Sequence, residues 1–312
     1  MITGFIDRKG APGSAWAEMV NAYVVNTTWA ELQPSPAPAL TGGNAVDQAI
    51  AEVRRLNQGR PGAPIVLKLR VLAGDSAPAW AKQLDGPPVA VQDDTSNRQG
   101  TIGRFWTGRY GGAYAQLQRL LADRYDGVPE LVEVTMARCT TFFDEPFIRH
   151  ASNRATTTAL VGAGYTAAAD ARCLAEEIDA HAVWQHTRSG LAFNPWQRVN
   201  PDGSVTVDEA FTESMMTYCR VRLGRRCVLE NNSIRWEPLK GPYDAMYRAM
   251  QLLGAPISFQ TAAPERIGDP FLTVQWAAAH GANAVELNRD YPSYPRVQML
   301  AARQRLAANF ST

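Results

Sequence analysis

Lysine is nearly absent from this chain: Lys9, Lys68, Lys82 and Lys240 are the whole set, and arginine supplies the rest of 31 basic side chains. Against 30 acidic groups they leave a formal charge of +1. That balance excludes a global electrostatic pull toward nucleic acid or an anionic membrane. No apolar run approaches the roughly 20 residues of a membrane helix, and Met1–Arg8 does not read as a signal peptide. Such a start is compatible with a cytoplasmic, a phage-associated or a secreted protein. Cysteine is sparse too, with Cys139, Cys173, Cys219 and Cys227 forming no CxxC pair and no Cys/His cluster of zinc spacing. Two disulfides, Cys139–Cys173 and Cys219–Cys227, and four buried thiols are both open, since spacing alone does not give connectivity. No internal repeat, linker, Walker loop, strand-linked GxGxxG or Ser-His-Asp order is present. Neither a metal nor an organic cofactor is called for.

What remains is alternation. Short β-type runs at Ile2–Asp7, Ala22–Thr28, Ile65–Leu72, Leu131–Cys139, Gly190–Asn194, Cys227–Asn231, Pro256–Thr261 and Ala284–Asn288 are separated by helical periodicity. The helices predicted are Ala45–Asn57, Tyr114–Asp123, Ala167–Ala182, Val207–Val221, Tyr243–Leu253 and Pro270–His280, with only Ser14–Val20 between the first two strands. Asp208 and Asp269 stand near two helix starts, and Gly254 and Gly281 follow two helix ends. Eight strand–helix units in 312 residues predict an α/β fold, a (β/α)8 TIM barrel forming a single domain over residues 1–312. Gln83–Arg109, the longest irregular stretch, reads as an extended rim loop.

Strand alternation assigns faces. In the third run Ile65, Leu67, Leu69 and Val71 oppose Lys68 and Arg70; in the seventh Ile257 and Phe259 oppose Ser258 and Gln260; in the eighth Val285 and Leu287 oppose Glu286 and Asn288. Apolar faces belong against the helices, so the polar set points into the lumen. Arg70, Asn194, Gln260, Glu286 and Asn288 then occupy the upper lumen, more polarity than packing needs.

Three glutamates, Glu145, Glu230 and Glu286, follow the fourth, sixth and eighth runs and converge on one rim, as acid/base chemistry on a sugar requires. Each has a plainer reading: a loop carboxylate beside Pro146, a rim or capping group, and a lumen partner for Arg70 or Arg289. Glu133 lies low in the fourth strand beside Lys68, where an ion pair is expected. Asp144 is a further candidate for the second carboxylate, with bonding to neighbouring backbone as its plainer role, and Asp7 is expected to cap a turn or hold a hydroxyl. Sugar rings stack on indoles, and Trp29, Trp80, Trp106, Trp196 and Trp236 fall just after strands or in the rim loop, with Tyr291 and Tyr294 after the eighth. Trp16, Trp184 and Trp276 lie in helices and read as core. Among the histidines His181, His186 and His280 stand at helix ends, and His150, close behind Glu145, is expected either at a solvated helix start or in contact with substrate.

The segment Phe143-Asp144-Glu145-Pro146-Phe147 resembles the Asn-Glu-Pro or Glu-Pro signature at the same strand of clan A glycoside hydrolases, the retaining (β/α)8 sugar hydrolases. Trp29-Ala30-Glu31-Leu32-Gln33-Pro34 is similar to their Trp-x-Glu-x-x-Pro element. The resemblance implies that Glu145 is the general acid/base. It departs at the seventh strand, where those enzymes carry the nucleophilic glutamate and this chain carries Gln260, which cannot act as nucleophile or base. Glu286 is the first substitute and Glu230 the second, strands four and six supplying the acids in α-galactosidase-like barrels. The sequence reading is a glycoside hydrolase acting on an oligo- or polysaccharide. In it Trp29, Arg70, Trp106, Asn194, Trp196, Asn232, Gln260 and Tyr291 bind the sugar. The alternatives are a non-catalytic carbohydrate-binding barrel, phage or cell-wall associated, and a lyase using Lys68 as Schiff base.

Overall fold

The computed structural model describes residues 1–309 except 14, 61, 95, 97, 238 and 239. Eight parallel strands close into a barrel: β1 (Gly4–Asp7), β2 (Val20–Thr28), β3 (Val66–Leu72), β4 (Leu131–Thr135), β5 (Arg188–Ala192), β6 (Cys227–Ile234), β7 (Ile257–Thr261) and β8 (Ala284–Leu287). They pair in chain order, with β1 closing on β8 through Ile6 opposite Glu286. This is the (β/α)8 TIM barrel that the alternation predicts, and its strands fall within a few residues of the expected runs. The fourth and fifth stop early, at Thr135 and Ala192, which leaves Asn194 just beyond a strand end.

Side-chain period two separates two cores. The outward apolar faces join the helix ring in one continuous cluster that includes Leu67, Leu69, Val71, Phe259, Val285 and Leu287. A second, small cluster of Ile2, Ile6, Ala22, Val24 and Ala284, with Val66 and Val132 against it, lies on the other face. Val66 precedes Lys68 and Ala284 precedes Glu286 by two residues, so these apolar groups plug the lumen below the charges.

Helices begin where a side chain can satisfy the first free N–H groups. Asn44 does so for Ala45–Asn57, Thr166 for Ala167–Ala180, Asp208 for Glu209–Leu223 and Asp269 for Pro270–Ala279. The helix expected from Val207 therefore starts later, and Val205–Asp208 instead pairs with Trp196–Val199 as a hairpin. Within the expected rim loop, Val89–Gln92 and Gln99–Ile102 form a second hairpin. The described part of Ser14–Val20 is a set of turns before β2, with Ser14 outside the described residues. A helix with a weak apolar stripe, Arg296–Ala308, packs on β1 and on Pro270–Ala279 and covers that sector.

Both disulfides are formed, Cys139–Cys173 across 34 residues and Cys219–Cys227 across 8. Cross-links constrain the unfolded chain more as the loop lengthens, by roughly 4 kcal/mol and 2.5 kcal/mol for these two spacings. Cys139→Ser combined with Cys173→Ser is thus expected to lower the denaturant midpoint more than Cys219→Ser with Cys227→Ser. Urea titrations followed by circular dichroism check the order; a larger loss from the short loop contradicts it.

Candidate active site

Beyond β4 the chain runs as a long connection, residues 136–153, across the C-terminal mouth before the helix Arg154–Gly162 begins. This segment is anchored at many points. Met136 N–H donates to the Gly190 carbonyl at 2.8 Å, and Asp75 N–H to the Thr141 carbonyl at 2.8 Å. Gly74, at φ +52°, sits so close to Thr141 that no Cβ would fit there. The backbone N–H groups of Arg138 and Cys139 both point at the buried Glu177 carboxylate. Arg149 is wholly buried against Asp170 at 2.5 Å, and Cys139 is bonded to Cys173. Glu145 is therefore presented by a rigid strap.

The mouth holds a cleft of about 620 Å³ lined from β1 round to β7, by Arg8, Arg70, Asp93, Asp94, Asp144, Glu145, His150, Asn194, Asn232, Arg235, Tyr243, Gln260 and Arg266 among others. It stands where (β/α)8 barrels carry their sites. Three non-glycine residues have positive φ among the described residues, and two of them, His150 and Ser233, line this cleft. Left-handed backbone at such residues costs of order 1–3 kcal/mol and concentrates at functional sites.

Glu145 is partly exposed in the cleft. Asn194 Nδ2 donates to its Oε1 at 3.4 Å. Asn194 is itself oriented: its Oδ1 accepts from Asn231 Nδ2 at 3.3 Å and from the Tyr243 hydroxyl at 3.4 Å, while the Tyr247 hydroxyl donates to Asn231 Oδ1 at 2.8 Å. Burial first, then the neighbouring Asp144 and Asp93 charges, raise Glu145 to about 7; the Asn194 bond and Arg70 oppose the rise without cancelling it. A carboxyl that keeps its proton to neutrality can serve as a general acid.

Glu286 is the opposite case. It is 1 % exposed, and Arg70 grips it through Nη1 at 3.2 Å and Nη2 at 2.7 Å. Arg8 Nε at 3.1 Å and Gln260 Nε2 at 2.8 Å also donate to its Oε1. Burial would raise this carboxyl, but Arg70, Lys68 and Arg8 together hold it down at about 2. It lies just beneath the floor formed by Arg8, Arg70 and Gln260, and its oxygens are already occupied. The pairing with Arg70 foreseen as its plainer role is present; Arg289 instead approaches Glu265 and Asp290.

Glu230 is sealed deeper. Lys68 Nζ reaches its Oε1 at 2.7 Å, Glu133 at 3.1 Å and Glu286 at 3.9 Å, with all four side chains nearly inaccessible. One ammonium serves three carboxylates, so burial and Glu133 push Glu230 up to about 8 despite Lys68. Gly190 on β5 leaves the space its carboxyl fills. The Lys68–Glu133 ion pair is thus found as expected. Held protonated by its carboxylates, Lys68 has no unprotonated amine for a Schiff base.

Asp144 corrects another expectation: Arg70 Nε holds its Oδ2 at 2.7 Å, so a single guanidinium bridges Asp144 and Glu286. Asp7 does cap its turn, accepting from Lys9 N–H at 2.8 Å, and also from the Tyr291 hydroxyl at 2.6 Å. Arg70, Asn194, Asn232 and Gln260 all line the cleft. The four expected aromatic platforms do not. Trp29 is fully buried, edge-on to Trp80, Tyr110 and Tyr114, with Nε1 donating to Gln33. Trp106 packs between Phe105 and Tyr165. Trp196 lies against Phe211 and donates to Asp170, and Tyr291 packs edge-on to Trp16. Each ring is consumed in pinning a loop to the barrel. Of the rim tryptophans expected, Trp236 is exposed, at 44 %, and Phe143, at 40 %, is an exposed ring in the cleft lining. Asp93 and Asp94, at the tip of the Val89–Ile102 hairpin, went unnoticed because their loop carries no motif; His150 Nδ1 lies 3.2 Å from Asp93.

No protein-family profile matches this sequence, and no curated protein matches it either. Solved structures do match in fold. The beta-galactosidase from Rahnella sp. R3 has a TM-score of 0.53 at 14 % identity over 100 % of this chain and 56 % of its own. Endo-glycoceramidase II from Rhodococcus sp., solved with ganglioside GM3, has 0.51 at 16 % over 93 % and 74 %. TcOYE, solved with pHBA, has 0.50 at 15 % over 92 % and 80 %. Glycosidase names recur among these neighbours, but at such identities the likeness is one of fold, and this barrel hosts many chemistries. Among the described residues no helix is long and apolar enough to cross a membrane, and no His/Cys/Asp/Glu cluster could hold a metal ion.

Lys68 is the cation that touches Glu133, Glu230 and Glu286 together. Lys68→Met is expected to destabilise the protein by about 3–5 kcal/mol, the cost of leaving buried carboxylates uncompensated. Urea unfolding measures this; a loss below about 1 kcal/mol would show that the layer is not held by its charges.

Proposed function

We propose that the protein is a glycoside hydrolase acting on an oligo- or polysaccharide, with Glu145 as the proton donor to the glycosidic oxygen. The observation that carries this reading is a carboxyl kept neutral to about pH 7 inside a polar cleft at the C-terminal mouth of the barrel. The likeness of its Asp-Glu-Pro segment to the clan A signature supports the same role. Gln260 and Asn232 offer donors and acceptors to hydroxyl groups above the floor that Arg70 braces, and Phe143 offers an apolar face to a sugar ring.

The ionised partner is reassigned. Glu230 serves the ion layer beneath the floor. Glu286, whose oxygens already accept four hydrogen bonds from Arg8, Arg70 and Gln260, acts as the fixed charge that orients these groups toward substrate. The carboxylates sharing the cleft with Glu145 are Asp93, Asp94 and Asp144, and the ionised partner comes from among them. A second reading, a barrel that binds glycans without cleaving them, is favoured by the same saturation of Glu286 together with Gln260 at the seventh strand.

Turnover of a broad glycan panel separates the two. Glu145→Gln is expected to abolish hydrolysis, by at least about a hundredfold, while leaving fold and glycan binding intact. For the native protein kcat/KM should fall as pH rises through about 7, because the acid loses its proton there. Unchanged turnover in Glu145→Gln, or an alkaline limb that survives the substitution, removes Glu145 from the chemistry. Binding by isothermal titration with no turnover of any glycan selects the second reading.

A further inference from the structure

Charge is not spread evenly round the cleft. The acidic groups Asp93, Asp94, Asp144 and Glu145 come from the β3–β4 sector, whereas Arg235 follows β6 and Arg266 follows β7. In the barrel order β6 and β7 are neighbours, with β5 between β6 and β4. The guanidiniums also differ in what they touch. Arg8 and Arg70 are consumed by Glu286 and Asp144. Arg235 has no ion pair and no side-chain hydrogen bond among the described residues, and its Nε is shut from solvent without an acceptor. Its guanidinium lines the cleft with its charge unclaimed by any carboxylate among the described residues. Arg266, exposed on the next loop, has no ion partner among the described residues either. Tyr243 feels the charges of both Glu145 and Arg235, and all three line the same cleft with Arg266.

We infer that the β6–β7 side of the cleft is a subsite for a sugar carboxylate, and that the substrate is an acidic glycan bearing uronic or sialic acid residues. A guanidinium meets a carboxylate with two parallel N–H bonds, a fit that neutral hydroxyls do not offer. Arg235 is the residue that selects the anion, and Arg266 adds longer-range attraction. The inference deepens the hydrolase reading, since it takes the same cleft as the glycan site, but it concerns binding and stands apart from turnover.

The test is isothermal titration of the full chain with trigalacturonate, trimannuronate and sialyllactose, each beside its carboxyl-reduced neutral form. The expected result is binding of at least one acidic sugar, weakened about ten- to a hundredfold by Arg235→Gln, with its neutral counterpart unaffected. Arg235→Lys should recover only part of the loss, because an ammonium lacks the fork. Thermal unfolding confirms that both variants fold; should Arg235→Gln not fold, Arg235→Lys carries the comparison. Equal binding of acidic and neutral forms overturns the inference, as does binding of none at millimolar concentration, or a loss in Arg235→Gln that affects both forms alike. An acidic sugar bound but never cleaved sinks the hydrolase reading alone; a neutral glycan cleaved without preference sinks only the subsite.

Discussion

One carboxylate that must stay ionised organises this barrel. Glu286 is removed from water, where an isolated charge would cost several kcal/mol, and it is tolerable only because Arg70, Arg8 and Lys68 converge on it. Those cations come from β3 and from the residue following β1, and Gln260 from β7 adds a further donor. Groups far apart in the chain are thus tied across the lumen. Below them an apolar plug excludes water; above them the same side chains form a fixed polar floor. The cleft inherits its shape and its rigidity from that arrangement.

The contrast with Glu145 follows from the same physics. Two glutamates near one barrel mouth differ by several pH units in where they titrate, about 2 against about 7. Glu286 is packed among cations. Glu145 stands on a strap from β4 beside Asp144 and Asp93, and the guanidinium that opposes its rise, Arg70, spends its contacts on Asp144 and Glu286. Environments that push two carboxyls apart in this way let one side chain type carry both a proton donor and a permanent charge. Arg70, by bridging Asp144 and Glu286, couples floor and strap, so a change in one is felt in the other.

Much of the architecture could be read before folding. Alternation in Val66–Leu72 and Ala284–Leu287 put Lys68, Arg70 and Glu286 inside, and the Lys68–Glu133 pair followed from strand adjacency. Helix starts at Asn44, Asp208 and Asp269 carry local chemistry that needs no tertiary context. The aromatic platforms failed for a physical reason: loop position does not separate a ring exposed at a rim from one that nails the loop down. Trp29 and Trp196 bury their rings and satisfy their indole N–H groups within the protein, whereas Trp236 stays open. The hairpin carrying Asp93 and Asp94 was hidden because its strands are short and its pairing is with itself.

Barrel, strand order and the polar lumen are settled by periodicity, because side-chain direction in a strand is a local property of the backbone. Protonation, accessibility and partnership are not local. Whether Glu286 or Glu145 holds a proton depends on charges contributed by β1, β3, β4 and the Val89–Ile102 hairpin, and whether Arg235 is left without an acceptor depends on which carboxylates the other arginines have claimed. Those outcomes exist only once the strands have closed, since electrostatic energy is a function of distances between side chains that the chain order leaves tens of residues apart.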